Sequence, residues 1–177
     1  MAPEAGNANA RVSWRVTSGE HAPASVQRLL RLLPQWFGID SSNAEYVSKA
    51  RELPAYLAWP GAEPPAGDSR RQPAGVLLPV RHFPWSAEIY LMAVDPRMHR
   101  RGAGRALVRA LETDLINDGV EFLQVKTLGP ARADAGYDKT RRFYAAMGFR
   151  PLEEITGLWP EHPCLVLVKA LQHDSFR

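Results

Sequence analysis

Hydrophobic and polar positions alternate along this chain in two periods, and the periods sort it into elements. From Arg11 to Thr17, Val12, Trp14 and Val16 alternate with Arg11, Ser13 and Arg15, the period of a half-buried strand. Val26, Leu29, Leu30 and Leu33 then recur at helical spacing, opened by Pro23 and stopped by Pro34. Ser41-Ser42-Asn43 offer caps for a second helix running to about Arg51, and Pro54 ends it. Three apolar runs follow, over 55–59, 74–80 and 87–94, and each reads as a strand. Consecutive strands of this kind predict an antiparallel meander. The stretch over 60–73, rich in Pro, Gly and charge, reads as an exposed, mobile connection.

The best helical period begins at about Arg101. Leu107, Leu111 and Leu115 repeat every four residues with Val108 and Ala110 beside them, while Arg105, Arg109, Glu112 and Asn117 lie outside the apolar row and Gly119 closes it. Residues 120–127 read as a fifth strand, so strand, helix and strand form one crossover with parallel neighbours. A loop is expected over 129–137, then a fourth helix from about Lys139 to Met147. Asp138 is its candidate N-cap, Phe143 and Met147 pair at i,i+4, and Gly148 is a left-handed stop. Strands over about 150–155 and 164–170 complete a mixed α/β fold, with some seven mostly antiparallel strands in one central sheet and some four helices flanking it.

Composition narrows the classes of function. The 177 residues suit one domain, 11–177, behind a tail at 1–10 that is expected to be disordered. Hydrophobic residues at 45% and charged residues at 23% argue for a packed globule. A net charge of +3 is too small to argue for nucleic acid as a partner, and no run approaches the roughly 20 apolar residues of a membrane span. Cys164 is the one cysteine, so no internal disulfide forms, and a reducing, cytoplasmic setting is expected. His82, His162 and His173 show no ligand spacing, so no metal is expected.

The positive charge is concentrated in one place. In Asp95-Pro96-Arg97-Met98-His99-Arg100-Arg101-Gly102-Ala103-Gly104-Arg105, a strand ends, two glycines turn the chain and a helix starts. Unpaired N–H groups of a first helical turn converge on one spot, and the helix dipole and nearby arginines favour an anion there. A P-loop would need Gly-Lys-Ser/Thr, and Gly104 is followed by Arg105-Ala106. A dinucleotide unit would need a third glycine and a later acidic residue among parallel strands, and the spacing and order do not fit. A pyrophosphate held by main-chain amides, beside a strand edge that pairs with an extended amide-bearing arm, remains, and coenzyme A has that shape.

Here the chain resembles the GNAT superfamily of N-acetyltransferases. The loop His99-Arg100-Arg101-Gly102-Ala103-Gly104 is similar to the acyl-CoA motif Gln/Arg-x-x-Gly-x-Gly/Ala, with His99 replacing the usual Gln or Arg. Phe143-Tyr144-Ala145-Ala146-Met147-Gly148-Phe149 is similar to the second signature, and the element order agrees over about Arg11 to Ala170. The resemblance implies the GNAT fold, acetyl-CoA as cosubstrate, and direct transfer of acetyl to a primary amine. It implies that Met92, Ala93 and Val94 flank pantetheine, that residues His99, Arg100, Arg101, Gly102, Ala103, Gly104 and Arg105 hold pyrophosphate, and that Phe143 lies at the cofactor. Tyr144 matches the usual general acid. Glu88 matches a strand glutamate that acts as base through water; on residue alternation it shares a face with Tyr90, Met92 and Val94.

The chemistry needs such groups, because an alkylamine at pH 7 is neutral about once in 10^3.4, a cost of roughly 4.6 kcal/mol, and the leaving thiolate needs a proton. The residues alone leave open Tyr144 as a core aromatic, Glu88 as a structural ion-pair partner, and a water chain as the base. Trp36, Phe37, Trp85 and Trp159 fall where such folds line the acceptor pocket, with plain packing as the alternative for each. A small-molecule amine is the first expectation for the acceptor, peptide or lysine amines the next, and a non-catalytic acyl-CoA sensor the rival. The sequence does not fix the oligomeric state, and a homodimer stays open.

Overall fold

The computed structural model describes residues 12–61 and 71–171; the expected N-terminal tail, most of the 60–73 connection and His173 lie outside the described residues. In chain order the elements are β1 (Trp14–Glu20), α1 (Pro23–Arg31), α2 (Asp40–Lys49), β2 (Ala55–Pro60), β3 (Gly75–Phe83) and β4 (Ser86–Val94). After a 3₁₀ turn over Pro96–Met98 come α3 (Ala103–Asn117), β5 (Phe122–Leu128), α4 (Ala135–Ala146), β6 (Arg150–Trp159) and β7 (His162–Ala170). The strands form one sheet in the order β1-β2-β3-β4-β5-β7-β6. Only β4 and β5 pair in parallel, across the α3 crossover; the meander and the mixed α/β class match the sequence expectation.

Each face of the sheet carries its own core. On one, Leu107, Val108 and Leu111 of α3, Tyr144 of α4 and Met147 just after it pack on Leu77, Ala87, Ile89, Leu123 and Val125. On the other, Val26, Leu29 and Leu30 of α1 pack on Leu57, Val76, Leu78, Leu91 and Ala93. Strand β4 thus sends Ala87 and Ile89 to the first core but Leu91 and Ala93 to the second, which strict alternation forbids. A bulge resolves this. Leu78 faces Leu91 and Pro79 faces Ile89, so Tyr90 is an extra residue. Pro79 has no N–H to give the ladder, and proline is tolerated inside sheets at such points.

The bulge decides where the sheet opens. β4 and β5 pair only from Ser86↔Phe122 to Ile89↔Val125. Beyond it, β4 stays on β3 as far as Val94 while β5 stays on β7 as far as Leu128. A wedge therefore opens between two adjacent strands of one sheet.

Several boundaries differ from the sequence expectation for local reasons. β1 starts at Trp14, and α2 starts at Asp40 with Ile39 at the N-cap and no side-chain cap bond, which places Ser41, Ser42 and Asn43 inside the helix. Asn43 instead donates from Nδ2 to the Phe37 carbonyl, 2.8 Å away. α4 begins at Ala135, because Asp134 and not Asp138 is its cap: Asp134 Oδ1 accepts from the N–H groups of Gly136 at 2.8 Å and Tyr137 at 2.9 Å. Asp138 lies in the first turn and pairs with Arg142 at 2.6 Å. At the other end Gly148 adopts φ +90°, and the N–H groups of Gly148 and Phe149 donate to Ala145 and Tyr144, the expected left-handed stop.

These two aspartates make opposite predictions. Asp134→Ala should cost about 1 kcal/mol and lower the Tm by about 2–4 °C. Asp138→Ala removes two ion pairs of a part-exposed carboxylate, with Arg142 and Arg141, and should cost about 0.5 kcal/mol or less. Thermal unfolding of the two variants checks the assignment, and a larger loss for Asp138→Ala would reverse it.

Candidate active site

The loop after β4 is built around a buried acid. Asp95 is 4% exposed and accepts from Arg97 three times, from the main-chain N–H at 3.0 Å, from Nε at 3.0 Å and from Nη2 at 2.7 Å. These bonds hold the Asp95 carboxyl below its ordinary range and tie up the Arg97 charge. Arg100 at φ +60° and Gly102 at φ +97° then turn the chain into α3. A Cβ on Gly102 would come within 3.4 Å of the Trp14 indole, which itself donates to the Arg101 carbonyl at 2.7 Å. A Cβ on Gly104 would press on the Phe143 ring at 3.3 Å. The first helical bond runs from Ala106 N–H to Gly102 O, so the amides of Ala103, Gly104 and Arg105 precede any intrahelical partner. Arg100, Arg101 and Arg105 are exposed and in no ion pair among the described residues, so these three, without Arg97, present free charge to the loop.

Along the wedge, backbone alternation decides what β4 offers. Asp95 N–H donates to Ala74 O at 2.8 Å, which marks the odd residues Ala93 and Leu91 as the ones bonded to β3. The main-chain groups of Met92 and Val94 therefore point into the gap, and Ala93 contributes only its side chain. His99, which stands where the motif usually has Gln or Arg, folds back so that Nε2 lies 2.8 Å from the Val94 carbonyl. Its ring meets the Trp36 indole edge-on at 5.8 Å.

Tyr144 and Glu88 sit on opposite faces of the sheet beside this gap. Tyr144 is 4% exposed, with its ring edge-on to Phe143 at 5.2 Å and to Phe149 at 5.4 Å. Burial pushes its hydroxyl far above the ordinary tyrosine value, so it stays protonated. Glu88 is 5% exposed, and its Oε2 accepts from His82 at 2.8 Å, Gln124 at 2.9 Å and Lys126 at 2.6 Å. Burial pushes this carboxyl up, but the three bonds, Lys126 foremost, outweigh it and hold Glu88 below its ordinary range. The expected shared face is corrected here: Met92 and Val94 pack against the α3 core, whereas Glu88 lies on the α1 side with Tyr90. The Tyr90 bulge swaps the faces between them.

The wall on the α1 side was only partly expected. Phe37 meets Tyr46 edge-on at 5.9 Å, Tyr46 meets Tyr90 at 5.5 Å, and the Tyr90 hydroxyl donates to Glu45 at 3.0 Å. Sequence reading missed Tyr90, Glu45 and the Glu88 partners, although polar Gln124 and Lys126 alternating with buried Leu123 and Val125 were a signal. Trp36 spans the open end of the gap: it touches His99, it lies 3.2 Å from where a Gly136 Cβ would be, and its carbonyl accepts from Tyr137 at 2.9 Å. Trp85 is not brought to this site. It stacks on Phe83 at 5.5 Å at the far, closed end of β4, and is half exposed. Trp159 stands at the β6–β7 turn, in the wall of a groove with Arg132 and His162. Among the described residues no group of three His, Cys, Asp or Glu side chains is placed to hold a metal ion.

The fold as a whole is shared with solved structures. The chain resembles an acetyltransferase of the GNAT family from Staphylococcus aureus, with a TM-score of 0.68 at 11% identity over 90% of this chain and 100% of that one. It resembles ribosomal-protein-S18-alanine N-acetyltransferase from Escherichia coli, with a TM-score of 0.67 at 16% identity over 93% and 99% of the two chains. It also resembles an aminoglycoside 6'-N-acetyltransferase complexed with coenzyme A, with a TM-score of 0.65 at 16% identity over 89% and 97%. No curated protein shows a significant sequence match. The sequence profile of the acetyltransferase (GNAT) family matches residues 33–149, and the chain therefore belongs to the GNAT family of acetyltransferases.

Proposed function

We propose that this acetyltransferase transfers the acetyl group of acetyl-CoA to the primary amine of a small molecule by direct attack across the β4–β5 gap. The observation that carries this reading is the buried Tyr144, whose hydroxyl keeps its proton, on the α3 side of the sheet and the Glu88 carboxylate, with Glu45, on the α1 side. A coenzyme A pyrophosphate fits the amides of Ala103, Gly104 and Arg105 and the charges of Arg100, Arg101 and Arg105. Gly102 and Gly104 leave the space a Cβ would fill, and Phe143 closes the loop from behind. The main-chain groups of Met92 and Val94 that point into the gap, of which the Val94 carbonyl is met by His99, match the two amides of a pantetheine arm.

In this reading acetyl-CoA supplies an activated acyl carbon, and the chain supplies position and protons. Glu45, Glu88 and the faces of Tyr46 and Tyr90 draw a cationic amine to the gap. Glu88 is too strongly stabilised as a carboxylate to keep the amine's proton; it orients the ammonium and a water that passes the proton to solvent. Loss of that proton frees the nitrogen lone pair, the N–C bond forms as the C–S bond breaks, and the Tyr144 hydroxyl protonates the departing sulfur. The neighbours act on both kinds of acceptor by their names, an aminoglycoside and a ribosomal-protein alanine. A compact aromatic wall over the gap supports the smaller one. The reading includes a reducing, cytoplasmic setting, which the free and fully buried Cys164 thiol supports.

Free-thiol release from acetyl-CoA across a panel of amines and short peptides tests both halves of the proposal. Small amines should be turned over better than peptides, and Tyr144→Phe should lose about 10²- to 10⁴-fold in kcat while binding coenzyme A as before. An unchanged rate removes Tyr144 from the mechanism. Cofactor binding without any release would leave an acyl-CoA sensor.

The pH profile separates the two roles available to Glu88. Because its carboxyl is held below the ordinary range, it is charged throughout the neutral range, and kcat/KM should climb with pH only as the acceptor amine loses its proton. Glu88→Gln should lower the rate roughly 10²-fold without moving that limb. A limb that shifts or disappears in the variant would instead make Glu88 the titrating base.

A further inference from the structure

The β6–β7 turn carries charge that the transfer step does not use. Between the pairs Ile155↔Cys164 and Trp159↔His162, residues Thr156, Gly157 and Leu158 of β6 face Pro163 alone. Pro163 offers no N–H, so the ladder opens and the hairpin bows. The bow and the loop between β5 and α4 enclose a groove of about 690 Å³. Its walls are apolar at Trp159, Pro160 and Pro163, with Arg132 and His162 as cationic and polar groups and Glu161 on the turn. The loop is fixed to the hairpin, since Gly129 N–H donates to Pro163 O at 2.8 Å.

Arg132 is held but not neutralised. Its Nη1 lies against the His162 ring, close to Nδ1 and 3.3 Å from Nε2, and a ring nitrogen that accepts from a guanidinium carries no proton of its own. Neither Glu161 nor any other carboxylate forms an ion pair with Arg132 among the described residues. The groove adjoins the open end of the gap, because Gly129, which is bonded to Pro163, directly follows the part of β5 that β4 leaves unpaired. Among the described residues the carboxylate in no ion pair on the α1 side of the gap is Glu45, whereas Glu88 is paired with Lys126, and the cation in no ion pair in the groove is Arg132, with Glu161 on the adjoining turn.

We propose that the acceptor amine also carries a carboxylate, which binds Arg132 while its apolar body lies along Trp159. This deepens, and rests on, the amine-acetyltransferase reading above. The planar guanidinium fork matches the two oxygens of a carboxylate, and the His162 contact pre-orients it. The site accordingly selects amino acids over simple amines and over their uncharged amides.

The test uses the full chain and a series of amino acids, from α-amino acids with apolar side chains to ω-amino alkanoates, each compared with its carboxamide. Thiol release from acetyl-CoA and calorimetric binding in the presence of coenzyme A are both read. At least one acid should be preferred over its amide by roughly tenfold or more in kcat/KM, and should bind in the same order. Arg132→Ala should abolish that preference and leave the carboxamide's rate within about twofold, and Arg132→Lys should restore it in part. Turnover of amines with acids and amides equal, or an Arg132→Ala variant that slows both alike, overturns the proposal. Arg132-dependent binding of acids without thiol release upholds the groove and overturns the transfer reading instead.

Discussion

Everything at this site depends on the loss of pairing between β4 and β5 after Ile89. A sheet interior does not normally leave main-chain groups unpaired, since each buried, unsatisfied one costs about 1–3 kcal/mol. Here the break is forced from outside the pair. Pro79 cannot complete the β3–β4 ladder, Tyr90 bulges, and β4 turns with β3 while β5 remains on β7. One of the orphaned groups, the Val94 carbonyl, is met by His99. An extended amide-bearing chain offers the same partners in regular succession.

The bulge also sets the chemistry, because it exchanges faces along β4. Without the extra residue, Glu88 would lie on the side of Met92 and Val94, next to the cofactor-facing core. With it, the acid and its Lys126, His82 and Gln124 partners stand on the α1 side, and the protonated Tyr144 stands on the other. In the proposed mechanism a thioester in the gap meets the amine from one face and the Tyr144 hydroxyl from the other. The charge on the loop is sorted in the same way. Asp95 removes Arg97 from the free positive set and spends its own charge in fixing the turn, so Arg100, Arg101 and Arg105 face outward unopposed.

The sheet, its order and the crossover were legible in the sequence because periods of two and of 3.6 survive in apolar positions such as Leu107, Leu111 and Leu115. The glycine loop was legible because its chemistry needs residues without Cβ. What stayed hidden were effects of one residue on a distant one. Nothing local to Tyr90 announces a bulge that Pro79 causes from the next strand, and so the face of Glu88 was misplaced. Asp134 and Asp138 are equally good caps on paper, and it is Asp134 that accepts from the N–H groups of Gly136 and Tyr137. Trp85 and Trp159 look alike in a list of aromatics, yet one stacks on Phe83 at the closed end of the gap and the other walls the groove.

The second signature shows why a packing role and a chemical role need not compete. Phe143 fills the space that Gly104 leaves, which couples α4 to the start of α3. Phe149, returned to the core by the Gly148 turn, closes on Tyr144 from the other side. Tyr144 is therefore a core aromatic by every measure of burial, and that burial is what raises its hydroxyl and keeps the proton in place. A more exposed tyrosine at the same point would hold its proton less firmly and be positioned less rigidly. The two aromatic neighbours that stabilise the helix are thus the same groups that fix the position of the Tyr144 ring.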